Sequence, residues 1–140
     1  MDVYVDSDVV ISSLLSRTGA AYHLLNNSRI TPIISSISLE EIKKVISQRG
    51  MEQEQFEQLI QKRLKIITIK QSISSLKVKY SLYVLDINDA HIVAGVRAAK
   101  VDFLLTYNLK HYKITKLKGD FNIQVFTPAL FLQYLSSLEV

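Results

Sequence analysis

Short continuous apolar runs alternate along this chain with longer stretches in which apolar residues recur every three or four positions, and each pattern predicts its own kind of element. Residues 3–5, 31–35, 65–70, 103–106 and 124–126 read as strands. Helical spacing covers 9–15 and 20–26, separated by Thr18-Gly19, then 52–63 with Phe56, Leu59 and Ile60 on one face, then 72–83 and 90–100. Ser38 has the chemistry of an N-cap, and Ser38-x-x-Glu41 has the spacing of a capping box. A helix is therefore predicted to open there, run through Ile42, Val45 and Ile46 to about residue 49 and stop at Gly50. Asp86 or its neighbour caps the helix at 90–100, and Thr127-Pro128 opens the last one at 129–135. The predicted order is βααβααβααββα. It implies an α/β fold with a mostly parallel sheet and helices on both faces, because parallel crossovers return over the sheet with one hand.

Composition assigns this pattern to one domain spanning residues 1–140. The chain is 48% hydrophobic and 21% charged, near globular averages, and shows no shift of composition at which to divide it. It has no cysteine, which excludes disulfides, thiolate metal ligands and a cysteine nucleophile. No apolar run approaches the roughly 20 residues that span a bilayer. No signal sequence opens the chain, so a cytoplasmic protein without membrane association is expected.

Charge changes the picture through its distribution more than through its total of +4. Residues 1–42 hold five acids against two bases, whereas residues 43–140 hold fifteen bases against eight acids. A basic body around a small acidic centre suits a polyanionic substrate. A plain basic, soluble surface accounts for the same numbers.

The acids fall at the ends of predicted elements. Asp6 and Asp8 follow the first strand, Glu41 opens a helix, Asp86 and Asp89 precede another, and Thr106 and Asn108 close the strand at 103–106. In open parallel sheets ligands bind outside the carboxyl ends of the strands, where these residues would converge. Dispersed carboxylates with one amide suit a hard divalent cation such as Mg²⁺ or Mn²⁺. Most have a structural explanation as well: Glu41 as the acid of a capping box, Asp86 and Asp89 as a helix cap and a first-turn acid. Asp6 resists one, because a carboxylate at the exit of a buried strand is costly unless paired or metal-bound. His23, His91 and His111 lack zinc-ligand spacing and read as surface or packing residues. Tyr107, His111 and Tyr112 are the aromatic side chains placed near a nucleic-acid path. The four glycines are isolated and Asp6-Ser-Asp8 stops short of an Asp-x-Asp-x-Thr motif, which disfavours a phosphatase-like or flavodoxin-like domain.

Taken in order, Val3-Tyr-Val-Asp6-Ser-Asp8, Ser38-Leu-Glu-Glu41-Ile, Asp86-Ile-Asn-Asp89-Ala and Leu105-Thr106-Tyr-Asn108 resemble the PIN domain family. The likeness extends over essentially the whole chain, to Val125-Phe-Thr-Pro128. The resemblance implies a three-layer α/β/α sandwich and a metal-dependent endoribonuclease that uses Mg²⁺ or Mn²⁺ to cut RNA, leaving 5′-phosphates. It also implies the toxin of a VapBC-type pair, a homodimer with an antitoxin protein as partner. Carried over position by position, Asp6, Glu41, Asp89 and Asn108 match the catalytic, metal-binding set. Asp8 and Asp86 are further metal candidates, and Thr106 would position substrate. Two positions depart from the family pattern. Asp8 stands where many members have Asn, and Asn108 stands where the most active members have a fourth carboxylate. A neutral amide holds a second cation less well, so an RNA-binding or scaffolding module with little or no nuclease activity is the alternative. If the ligands must be ionised, activity falls as pH drops towards the carboxylate range.

Overall fold

The computed structural model describes residues 1–138, so the last two residues of the expected 1–140 span lie outside the described residues. Five strands, β1 (Asp2–Val5), β2 (Thr31–Ser35), β3 (Lys65–Ile67), β4 (Phe103–Leu105) and β5 (Gln124–Phe126), form one sheet in the order β3-β2-β1-β4-β5. Every pairing is parallel, with Tyr4 opposite Ile33 on one side and Leu104 on the other. The helices are α1 (Ser7–Leu15), α2 (Ala20–Leu25), α3 (Ser36–Gln48), α4 (Gln53–Lys62), α5 (Ile73–Tyr80), α6 (Ala90–Ala99), α7 (Ile114–Phe121) and α8 (Pro128–Ser137). The chain winds outward from central β1 to β3, then restarts beside β1 with β4. The carboxyl ends of β1 and β4 therefore meet at the point where the winding reverses, which is where such sheets form a ligand crevice.

The period-2 geometry of the strands divides the core. Val3, Val5, Ile34 and Leu105 pack with α1, α2, α3, α4 and α8 on one face. Tyr4, Ile33 and Leu104 pack with α5, α6 and α7 on the other. This is the expected three-layer α/β/α sandwich. Gly95, inside α6, lets the Tyr4 ring lie against the helix backbone, since a Cβ there would collide with the phenol. Glycine costs such a helix up to ~1 kcal/mol relative to alanine, a smaller term than the ~1.5–3 kcal/mol gained by fully burying a large apolar side chain. Arg63, just past α4, ties that layer together: its Nε donates to Leu25 O at 2.8 Å, and its Nη2 to Asn27 O at 2.6 Å and Ile30 O at 3.1 Å.

The structure corrects the predicted elements in three places. α3 starts three residues earlier than the capping-box spacing implies: Ser35 is its N-cap and accepts from Ser38 N at 3.2 Å. Strand β2 runs straight into this helix, so the first serine of the run takes the cap and Ser38 is buried in the first turn. Glu41 consequently sits in the second turn of α3 and caps nothing. β3 is shorter than predicted, ending at Ile67, and Ile69 N turns away to donate to Ser36 Oγ. Helix α7 was not predicted. Its apolar residues Ile114, Leu117 and Phe121 have helical spacing, but it is only eight residues long and contains Gly119; parallel β4 and β5 require a crossover of this kind. The predicted breaks at Thr18-Gly19, the Gly50 stop and the Thr127-Pro128 start of α8 are all found.

Candidate active site

Asp6 leaves β1 at the reversal point, its backbone N donating to Leu105 O of β4 at 2.9 Å. It occupies the N-cap position of α1 but its side chain caps nothing. Instead Oδ2 accepts from Thr106 Oγ1 at 3.0 Å and from Tyr112 OH at 2.6 Å. Asp8, in the first turn of α1, reaches the same place: its Oδ2 accepts from Tyr107 N at 3.0 Å and from Asn108 Nδ2 at 3.0 Å. Thr106 Oγ1 also lies 3.3 Å from Asp8 Oδ2 and itself accepts from Asn108 N at 3.1 Å. A hydroxyl has one proton, so Thr106 serves Asp6 and Asp8 in alternation.

Asp89 is the N-cap residue of α6, again with no cap bond from its side chain. Asp86 does the capping, its Oδ1 accepting from Asn88 N at 2.9 Å over the single 3₁₀ turn Ile87–Asp89. That division of labour leaves Asp89 facing the site, where its Oδ2 lies 3.3 Å from His111 Nδ1. The two are close enough for an ion pair, but the oxygen has no aligned hydrogen-bond donor. Glu41, half-exposed on α3, receives His91 Nε2 at 3.0 Å from a histidine that is only 6% exposed. The structure therefore brings Asp6, Asp8, Thr106 and Asn108 into one hydrogen-bonded cluster, with Asp89 within range of the Asp6 charge, while Glu41 pairs with His91, whose field also reaches Asp89. Asp86 stays at the exposed rim, with one oxygen used in a turn.

The electrostatics of this cluster are those of too much negative charge in too little water. Burial first, and the Asp6 charge second, push Asp8 up to about 7. The same two causes push Asp89 up to about 6, with His111 opposing the rise. Burial and the Asp6 charge raise the Tyr112 phenol far above its ordinary value, so it remains a protonated donor. Among the described residues no group of three acids or histidines forms a ready-made metal cage. The donors nevertheless fit a hard cation. All are oxygens, two of them, Asp8 Oδ1 and Asp89 Oδ2, are buried without a hydrogen-bond partner, and Mg²⁺ keeps several waters and takes one or two protein carboxylates.

Three residues of this site, His91, His111 and Tyr112, have roles that the sequence reading did not assign, although it placed His111 and Tyr112 near a nucleic-acid path. Tyr112 is buried and holds Asp6 and is no base-stacking platform, whereas Tyr107 is 41% exposed. His91 lies among buried Ala90, Ile92 and Val93; a polar residue on an apolar helical face, two positions after Asp89, was the available signal. His111 and Tyr112 carried a weaker one, their position just beyond Asn108. A separate cleft of about 330 Å³ between α1, α2 and α4, with Arg17, Tyr22 and Lys62 in its wall, contains none of the carboxylates.

A model of the PIN domain family matches residues 2–110. The fold is similar to a solved toxin-antitoxin complex from Klebsiella pneumoniae, with a TM-score of 0.65 and 25% identity over 90% of this chain and 97% of that one. It is also similar to VapBC2 from Rickettsia felis bound to a DNA fragment from their promoter, with a TM-score of 0.61 and 19% identity over 91% of this chain and 98% of that one. Among curated proteins none matches.

Proposed function

Because the chain belongs to the PIN domain family, we propose that it is a metal-dependent endoribonuclease, the toxin of a toxin–antitoxin pair. The observation that carries this reading is the electrostatic incompleteness of the cluster: Asp8 and Asp89 resist ionisation beside Asp6, and each has a buried oxygen without a hydrogen-bond partner. Asp6 and Asp89 would hold Mg²⁺ or Mn²⁺, with Asp8 beside them, Glu41 acting through water, and the Asn108 carbonyl oxygen as a neutral donor. When bound, the cation polarises a water and offsets charge developing on the phosphodiester.

The chain's own residues do the positioning. Asn108 donates one amide N–H to Asp8, which fixes the direction of its remaining oxygen. Asp8 in turn anchors the turn at Tyr107 and Asn108. Thr106, fully buried, supplies one proton to the Asp6/Asp8 pair, and its placement of substrate acts through them. Tyr107 stands exposed at the mouth, where a base could stack on it.

The partners are an antitoxin protein and a second copy of the chain. The homodimer reading is supported by Val78, Leu82 and Leu85, which expose 82%, 66% and 67% of their surface between α5 and Asp86. No helix among the described residues is long and apolar enough to cross a membrane. The test is cleavage of end-labelled single-stranded RNA with Mg²⁺ or Mn²⁺, comparing wild type, Asp6→Asn, Asp89→Asn and an EDTA control. Metal-dependent cutting lost in both variants supports the nuclease. The neutral Asn108 favours a second reading, an RNA-binding module, and RNA bound but uncut by the wild type would establish it.

A further inference from the structure

Asp6 and Asp89 enter the site from different elements, β1 and the start of α6, and the charge of Asp6 works against Asp89. Two like charges hold a fixed separation only if something braces them. The adjacent residues His111 and Tyr112 touch both: Tyr112 OH donates to Asp6 Oδ2 at 2.6 Å, and His111 Nδ1 lies 3.3 Å from Asp89 Oδ2. Their backbone is itself anchored. Tyr112 forms an antiparallel bridge with Val84, Leu85 N donates to His111 O at 2.8 Å, and Lys113 N donates to Tyr83 O at 3.0 Å. Those bonds join the exit of β4 to the segment that leads directly into Asp86 and Asp89. Tyr112 and Val84 are both buried, so this seam is part of the packed body.

Resting on the nuclease reading above, we infer that His111 and Tyr112 are positioning residues that set the separation and direction of the Asp6 and Asp89 carboxylates for the cation. Neither touches substrate in this role; each acts through the carboxylate it holds. Side chains that orient ligands from behind are worth about 10–100-fold in metal affinity when removed.

The experiment is calorimetric titration of the whole protein with Mn²⁺, alongside thermal melts and RNA cleavage, for wild type, Tyr112→Phe, His111→Ala and His111→Asn. Tyr112→Phe keeps the buried ring and removes the hydroxyl. His111→Asn puts an amide nitrogen where Nδ1 stands. Tyr112→Phe and His111→Ala are expected to weaken Mn²⁺ binding by about tenfold or more, and to lower kcat while leaving KM for RNA unchanged. His111→Asn is expected to recover most of the His111→Ala loss. Wild-type Mn²⁺ affinity and kcat in both deletion variants would overturn the inference. So would losses that only follow the melting temperature and that asparagine does not rescue. A wild type that binds no Mn²⁺ and cuts no RNA would instead overturn the nuclease reading, and this inference with it.

Discussion

Two partly buried charged regions of this molecule are built in opposite ways. At one, the Arg63 guanidinium donates three hydrogen bonds to the carbonyls of Leu25, Asn27 and Ile30, a cation with its donors matched to fixed acceptors. At the other, Asp6, Asp8 and Asp89 share few donors: one threonine hydroxyl, one phenol, an amide and a backbone N–H, with two oxygens unmatched. The first arrangement lowers the energy of the folded chain. The second raises it, and a chain keeps such a region where something else is meant to complete it.

If the contrast is real, the two regions should respond oppositely to mutation. The largest effect is expected at the carboxylates: Asp6→Asn or Asp89→Asn should reduce metal-dependent RNA cleavage by about 10²–10³-fold, the scale of losing one preorganised electrostatic group. The same Asp89→Asn change should raise the melting temperature without metal, because it removes a buried charge that Asp6 repels. A lower melting temperature would show that the cluster is structural after all. At the other pole, Arg63→Ala should cost about 3 kcal/mol in denaturant unfolding, since it strands carbonyls that lose charged donors. The activity of the remaining folded molecules should not change.

Gly95→Ala extends the test to a site with no charge at all. Overpacking against the Tyr4 ring should cost about 1–3 kcal/mol, measured by the same unfolding curve, and a neutral result would mean that the ring relaxes. The remaining test is pH dependence. Asp8 and Asp89, held at about 7 and about 6 in the fold, keep protons that the unfolded chain has already released near its ordinary carboxylate range, ~4. The stability these two groups contribute without metal is therefore fully present below about pH 4 and is lost as pH rises towards 7. Melting scans over that range with and without Mn²⁺ should show the decline, flattened by the metal; a stability that rises over the range would contradict it.

Much of the architecture was legible because it depends on local chemistry. The parallel sheet and its outer helices follow from alternating apolar patterns, and the ends at Gly50 and Thr127-Pro128 from cap chemistry. Helix α7 was missed although Ile114, Leu117 and Phe121 have helical spacing, because the element is only eight residues long and contains Gly119, which weakens a helical reading. The start of α3 was misplaced because Ser35, Ser36 and Ser38 are all competent caps, and the choice among them was made by where β2 ends. Asp6, Asp8, Asp89 and Asn108 were legible as candidates because each lies at an element terminus. The roles of their partners Tyr112, His111 and His91 were not, because which carboxylate each side chain meets, 22 to 106 residues away in the chain, is set by tertiary packing and not by local pattern.

What the sequence determined by itself is the kind of fold, the order of its elements apart from α7 and the identity of the acids at one edge of the sheet, since these rest on patterning within a few residues. Only the tertiary structure decided that Asp86 caps a turn while Asp89 faces the site, that Asp8 joins Asp6 at Thr106, and that Tyr112 turns inward to hold Asp6. Those are long-range contacts, and their energies come from burial and from charges brought together across the sheet. Both exist only once β1 and β4 lie side by side.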